Sequence, residues 1–316
     1  MDLLDDYLGG VRARGAVFCQ SVLEPPWAIR FSAPAPLVMG VALRGAVWIL
    51  VEGAVPVQVV EHGVVLIRSG RPFTAADHPR TRPQVIIDGR LPLALAGNAS
   101  QAVEAKLALG PRTFGFDATG SHLFVTAEFP MYREVSERLL EALPDVAVIP
   151  PEPRIEPLLA LLSAEVDRDE PGQQVVLDRV LDLFLVRSLR SWFTRADVRP
   201  PIGYKALSDH AIGAALRRMH EFPARRWTVA TLAKEAGLSR AAFARRFADL
   251  VGQSPLAYLT DWRMAIAADL LLEPGATVTS VAAQVGYADG FSFSVAFKRV
   301  RGLPPSELVQ ASKQRR

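Results

Sequence analysis

The chain of 316 residues has one cysteine, Cys19, so no internal disulfide can staple it and a reducing compartment, the cytoplasm, is expected. No run approaches the roughly 20 apolar residues that a membrane-spanning helix needs, so no membrane partner is expected. The first ten residues, MDLLDDYLGG, are acidic and do not resemble a secretory signal. Histidine is scarce: there are five, at positions 62, 78, 122, 210 and 220, and none forms a His-x-His pair. The helical C-terminal third shows no phosphate loop, no Cys-x-x-Cys and no Ser-His-Asp order. The reading is therefore a non-enzyme, with no catalytic residue, no cofactor and no metal site assigned.

Charge is also scarce in net terms, at +3, but it is unevenly placed. Residues 205–316 hold 16 Lys and Arg against 9 Asp and Glu, leaving 20 against 24 in residues 1–204. A basic C-terminal third on an acidic body points to a polyanionic partner for that third. An uneven but merely solvated surface is the plainer alternative.

Half of the residues are hydrophobic, enough for real cores, and the length suits two domains. Residues 1–150 carry short apolar runs broken by Gly, Pro and Asn: AVWILV, VPVQVV, GVVLIRSG, PQVIID, LPLALAG and HLFVTAEF. Such a pattern predicts many short strands in a sandwich or small barrel. The Pro-dense stretch PDVAVIPPEPRIEP reads as a linker. From Pro157 the period becomes helical: Leu177, Val180, Leu181, Phe184, Leu185 and Trp192 fall on one stripe, with Val176, Leu183 and Val186 beyond it. A helix apolar over so much of its girth is expected to bury more than one face. Residues 151–204 are therefore read as a helical linker that dimerises the chain through residues 157–194. Residues 205–316 read as helices joined by short turns. The fold class is α+β.

The C-terminal third repeats itself. Leu232, Ala233 and Gly237 recur 49 residues later as Val281, Ala282 and Gly286. One residue is then inserted, and Ser239, Phe243, Phe247, Gly252 and Pro255 recur 50 later as Asp289, Phe293, Phe297, Gly302 and Pro305. In each copy a helix should end at a glycine able to turn left-handed, and a Ser or Asp should cap the next helix. The two phenylalanines, four apart, then anchor that second helix. These are two helix-turn-helix units, at about 228–255 and 277–305. A plain helical bundle would not need matching glycines, caps, aromatics and prolines. The stretch between them, LAYLTDWRMAIAADLLLE, is expected to form a helix about 27 Å long that lets both units enter the major groove on one face of DNA.

Both units and the helix between them resemble the DNA-binding domain of AraC-type (AraC/XylS) transcriptional regulators. The matching stretches are WTVATLAKEAGLSRAAFARRFADLVGQSPLAYLTDWRMAIAADLLL and VTSVAAQVGYADGFSFSVAFKRVRGLPPSEL. LRGAVWILVEG and EHGVVLIRSGRPFTAAD resemble the cupin-like sensor domain found on one group of these regulators. The resemblance implies an N-terminal cupin-like β-barrel, a cytoplasmic transcription factor, double-stranded promoter DNA as partner and a homodimer formed through the N-terminal half. The barrel is read as holding a small-molecule effector or simply dimerising, and contact with RNA polymerase is the remaining expected partnership.

On a helical wheel centred on Phe243, Phe247 at about 40° and Leu250 at about 340° define the buried face, so Ala241 at about 160° and Arg245 at about 200° point outward. The family reads bases from these two positions. An outward arginine can grip guanine O6 and N7 with two bonds, while Ala241 can at most touch a thymine methyl. Around Phe293 the outward residues are Phe291 and Val295, where relatives usually have an arginine at the second position. An apolar pair suits thymine methyls, and Ser292 is counted with the base-reading group. Arg240, Arg246, Ser294, Lys298, Arg299 and Arg301 are expected at phosphates, with Arg225 and Arg226 as weaker candidates.

Cupin enzymes hold a metal through His-x-His, a nearby Glu and a later His. Here the position where relatives carry a histidine falls on Phe73. Trp27, Arg30, Arg44 and Trp48 are the candidate effector pocket, although Trp48 in AVWILV is also the kind of residue that packs a core. Cys19 is a candidate oxidant sensor without a resolving cysteine. The rival readings are a cupin-type metal oxygenase with a helical tail, and a module whose basic face binds a protein or anionic lipid instead of DNA.

Overall fold

The computed structural model describes residues 19–68, 71–88, 91–94, 108–110, 113–115, 119–129, 134–166 and 170–314. The acidic N-terminal segment, the end of the LPLALAG run and the side chain of Cys19 lie outside the described residues. The chain divides into two compact units.

The first unit holds the described residues between 19 and 131 and between 140 and 199. Twelve strands come first: β1 (Cys19–Leu23), β2 (Ala28–Phe31), β3 (Leu37–Arg44), β4 (Val47–Val51), β5 (Val57–Val59), β6 (Val64–Arg68), β7 (Phe73–Ala76), β8 (Val85–Asp88), β9 (Leu91–Ala94), β10 (Ala108–Gly110), β11 (Thr113–Gly115) and β12 (His122–Phe129). A thirteenth, β13, is Val146–Ile149. They form a seven-stranded sheet, β10-β11-β1-β12-β3-β6-β13, and a six-stranded sheet, β5-β4-β7-β2-β8-β9.

The two sheets enclose one core. Along β4 every second residue is buried: Val47, Ile49 and Val51 point inward and Trp48 and Leu50 outward, the strand period of two. With Ile29, Phe31, Phe73 and Ala75 they meet Val38, Ala42, Val65, Ile67 and Phe124 of the other sheet. Phe31 and Phe73, paired in register, stack with centroids 4.5 Å apart.

Two expectations need correction here. β13 lies inside the Pro-dense stretch read as linker, yet Val146–Ile149 pairs antiparallel with Val64–Ile67. Its alternating Val-Ala-Val-Ile fits a strand, and the prolines begin only after it. The helices that follow, α2 (Glu156–Val166) and α3 (Gln173–Thr194), cluster with the sheets, and do not form a separate body. Strand β3 is buried on both faces, from Leu37 to Ala42, because its outer face is covered as well as its inner one. In α3, Leu177, Val180, Leu181, Phe184, Leu185, Leu189 and Phe193 are buried, whereas Val175, Val176 and Leu183 are exposed.

The second unit holds the described residues between 134 and 139 and between 200 and 314. The short helix α1 (Glu134–Glu141) begins in it. Arg138 Nη2 donates to the Asp261 carbonyl at 2.9 Å, and Val135, Ser136 and Leu139 are buried. Then follow α4 (His210–Glu221), α5 (Val229–Glu235), α6 (Arg240–Val251), α7 (Pro255–Leu271), α8 (Val278–Gln284), α9 (Gly290–Arg301) and α10 (Pro305–Gln314). Helix α7 is 17 residues long, about 26 Å at 1.5 Å per residue. Ser254 caps its start through the Ala257 amide, and Pro255 occupies the first turn, where a missing N–H costs nothing.

Candidate nucleic-acid interface

The repeat in the sequence is a repeat in hydrogen bonds. Thr228 caps α5 and shares a reciprocal capping box with Thr231; Thr277 caps α8 and does the same with Ser280. At the other end of α5, Leu238 N donates to Ala233 O at 2.9 Å and Gly237 N to Lys234 O at 3.1 Å. At the end of α8, Tyr287 N donates to Ala282 O at 2.8 Å and Gly286 N to Ala283 O at 3.1 Å. Both are Schellman closures, which require a left-handed residue; Gly237 has φ 66° and Gly286 φ 81°. Ser239 then accepts from the Ala242 amide and Asp289 from the Ser292 amide, starting α6 and α9. Gly252 and Gly302 end these helices with φ 82° and 77°.

The phenylalanine pairs pack alike. Phe243 and Phe247 lie 5.6 Å apart with planes at 52°, and Phe293 and Phe297 lie 5.5 Å apart at 55°. All four are essentially inaccessible to solvent. Each contributes roughly 1.5–3 kcal/mol through burial. Leu250 departs from the wheel: it is exposed, and Val251 is buried in its place. In the last turn, next to left-handed Gly252, the wheel no longer tells which side chain the neighbouring elements cover.

The anchors aim the opposite faces outward. Ala241 and Arg245 are both exposed on α6. On α9, Phe291 is 81% exposed and Val295 56% exposed. The four residues expected to read bases therefore occupy equivalent outward positions on two equivalent helices. Ser292, the fifth, is half-buried. Its hydroxyl donates to the Asp289 carbonyl at 3.1 Å.

The phosphate candidates separate into two groups. Arg240, Lys298 and Arg299 are exposed, and among the described residues no ion pair engages them. The others have other commitments. Arg246 is held by Asp209 at 2.6 Å. Ser294 donates its hydroxyl to the Gly290 carbonyl at 2.6 Å, which uses the proton a phosphate would need. Arg301 is half-buried, and burial lowers its pKa. Arg225 lies 4.2 Å over the Trp227 ring and 3.6 Å from Glu235. Arg226 is exposed.

A clasp that the sequence did not reveal lies between the two helix-turn-helix units. Arg263 of α7 donates from Nε to Pro223 O at 2.7 Å and from Nη2 to Arg225 O at 2.8 Å. Burial lowers the Arg263 pKa, partly opposed by Tyr287. The loop it grips runs into the first unit. The same loop meets the turn of the second, where a Cβ on Gly286 would lie 2.4 Å from the Ala224 carbonyl oxygen. Lone arginines in mid-helix give no sequence signal of such a contact.

In the sheet-rich unit the four candidate pocket residues fall in different places. Trp27 is 1% exposed and belongs to the core between the sheets. Its ring meets the edge of His122 at 5.7 Å, and among the described residues its Nε1–H has no acceptor. Arg30 and Trp48 alternate with core residues, so they lie on the outer face of the six-stranded sheet. Arg44, at the end of β3, donates to the Gly120 carbonyl at 2.8 Å. Phe73 is buried and stacks on Phe31. Among the described residues no three His, Cys, Asp or Glu side chains form a group that could hold a metal ion. No helix among them is long and apolar enough to cross a membrane.

Both parts of the chain have known relatives. Residues 2–194 match the Cupin family and residues 232–311 the helix-turn-helix domain family. A protein of Streptomyces lividans named as an AraC-like transcription regulator is 33% identical, over 97% of this chain and 97% of its own. One of Streptomyces antibioticus with the same name is 31% identical, over 97% and 98%. A crystal structure of the DNA-binding domain of AdpA, a global transcriptional factor, in complex with a target DNA is 31% identical over 34% of this chain and 97% of that one, with TM-score 0.33.

Proposed function

The chain belongs to the AraC-like transcription regulators, and we propose that it binds one operator through both helix-turn-helix units at once, reading bases with Ala241 and Arg245 from the first and Phe291, Ser292 and Val295 from the second. The observation that carries this reading is the equivalence of the two outward faces, aimed by identical phenylalanine anchors and joined through one clasped loop. Arg245 supplies the bidentate contact to guanine. Arg240, Lys298 and Arg299 supply phosphate contacts; Arg246, Ser294 and Arg301 contribute less, because each is already engaged or half-buried.

The sheet-rich unit acts as a sensor and not as an enzyme. Its candidate ligand group is the Trp27 indole N–H, a buried donor without an acceptor among the described residues. A small molecule with a carbonyl or hydroxyl oxygen would satisfy it. The exposed Val175, Val176 and Leu183 of α3 support a homodimer through residues 157–194. Residues 205–316 are proposed as the DNA-binding domain, and the helices of 151–204 go with the sheet-rich part instead of standing apart from 1–150. A cytoplasmic location and a contact with RNA polymerase complete the proposal.

The test is selection of binding sites from random duplex DNA with the full chain, followed by footprinting. Two protected major-groove segments on one face of the helix, about one turn apart, are the expected result. Uniform binding without a selected sequence would leave the basic surface without a reading role.

A further inference from the structure

We propose that the second unit recognises the C5-methyl group of pyrimidines, that is thymine and equally 5-methylcytosine, with Phe291 and Val295 as the specificity-determining residues. This rests on the two-headed DNA-binding reading above and names what its second head reads.

The first observation is exposure. Phe291 and Val295 are one helical turn apart on the outward face of α9, 81% and 56% exposed, in a helix whose other aromatics are fully buried. They stand at the register of Ala241 and Arg245, the groove-facing pair of the first unit. Neither can donate or accept a hydrogen bond, so this face cannot tell bases apart by the donor and acceptor pattern of the groove.

The second observation is that the serine hydroxyls beside this face have already committed their protons. Ser292 gives its hydroxyl proton to Asp289 O, and Ser294 gives its own to Gly290 O. The Asp289 carboxylate accepts from the Ser292 amide, which holds its pKa below the usual carboxylate range, so the start of α9 carries a negative charge. The first unit has the neutral Ser239 there. The Asp289 carboxylate thus offsets the positive helix N-terminus that would otherwise favour a phosphate, while Lys298 and Arg299 in the last turn attract one. The charge distribution anchors the helix by its far end and leaves Phe291, in the first turn, to the base edges.

In the major groove the apolar feature of a base pair is the C5-methyl of thymine, and phenylalanine is among the side chains that contact it. Cytosine lacks the methyl and 5-methylcytosine carries one at the same ring position. An apolar head that reads only the methyl accepts both methylated bases and rejects cytosine and uracil.

The experiment uses the full chain and the selected operator. A Val295→Arg variant, which introduces a guanine preference, first marks the half-site under the second unit. Thymines there are then replaced singly by deoxyuridine, and cytosine is compared with 5-methylcytosine at the same positions. Wild type should lose about three- to five-fold in affinity for each methyl removed. It should gain by a similar factor when cytosine is methylated. Phe291→Ala, at a position exposed enough to leave the fold intact, should bind deoxyuridine and thymine sites alike; its thermal unfolding should match wild type. Specific binding that ignores the methyl in wild type, or keeps the methyl effect in Phe291→Ala, overturns this proposal and leaves the two-headed reading standing. Failure to select any sequence overturns both.

Discussion

Asp209 Oδ2 accepts two hydrogen bonds from Arg246, from Nε at 3.0 Å and from Nη2 at 2.6 Å, while Oδ1 of the same carboxylate accepts from the amides of Ala211 at 3.1 Å and Ile212 at 3.0 Å. One side chain thus caps α4 and pins an arginine of the first recognition helix, α6. Arg246 looks in the sequence like a free phosphate ligand beside Arg245, but its charge is largely spent inside the unit. Arg246→Ala is therefore expected to lower the salt dependence of DNA binding by less than Lys298→Ala does. Asp209→Ala should cost about 1 kcal/mol of stability through the lost cap. Salt titrations of binding and thermal unfolding of the variants check both.

Acid should weaken the same unit. The Ile212 amide, Arg246 and the Ala211 amide hold the Asp209 carboxyl below its ordinary pKa against some desolvation, and the Ser292 amide does the same for Asp289. A carboxyl with a folded-state pKa below its unfolded value stabilises the fold above the unfolded pKa, and this contribution is lost as pH falls through the folded one. Asp209→Asn and Asp289→Asn are expected to unfold more easily than wild type at neutral pH. The difference should vanish when the pH is taken below the depressed carboxylate range. Helical circular dichroism melts across pH 2–7 measure it, and a gap that persists at the acid end would contradict the charge-based account.

Two equivalent glycines should respond unequally to alanine. Both Gly237 and Gly286 have positive φ, but a Cβ on Gly237 meets nothing within 4 Å, while one on Gly286 lies 2.4 Å from the Ala224 carbonyl oxygen. Gly237→Ala should cost about 1–2 kcal/mol in backbone strain. Gly286→Ala adds an overlap with backbone that cannot swing aside, for a total of about 3 kcal/mol or more. It should also loosen the clasped loop and reduce operator affinity beyond its effect on stability. Equal losses at the two sites would mean that the Ala224 contact is unimportant.

Arg245→Ala should cost about 1–3 kcal/mol at the selected operator and relax preference at one base pair. Lys298→Ala should weaken specific and random DNA alike. Equal loss on both kinds of DNA for Arg245→Ala would remove it from the reading head.

Residues 1–200 expressed alone should sediment as a dimer and residues 205–316 as a monomer. Charge introduced at Leu183, exposed on α3, should shift the first toward monomer. Dimerisation of the helical part instead would place the interface there.

The sequence by itself determined the two helix-turn-helix units almost residue by residue. Their glycines, caps and phenylalanine pairs are local devices, each acting within a few residues of chain, so spacing alone exposes them. The outward faces followed, because burial of Phe243 and Phe293 sets the rotation of each helix. Strand β13 and the exposed Leu250 were decided by neighbours far away in sequence, namely which edge of β6 was open and where covering side chains ended. The same holds for Arg246, Arg263 and Trp27. Whether an arginine faces solvent or a carboxylate 37 residues earlier, and whether an indole N–H finds an acceptor, depends on the packing of elements with no sequence relation to one another. Only the tertiary structure could sort the charged residues of the basic third into those free to meet DNA and those holding the reading heads together.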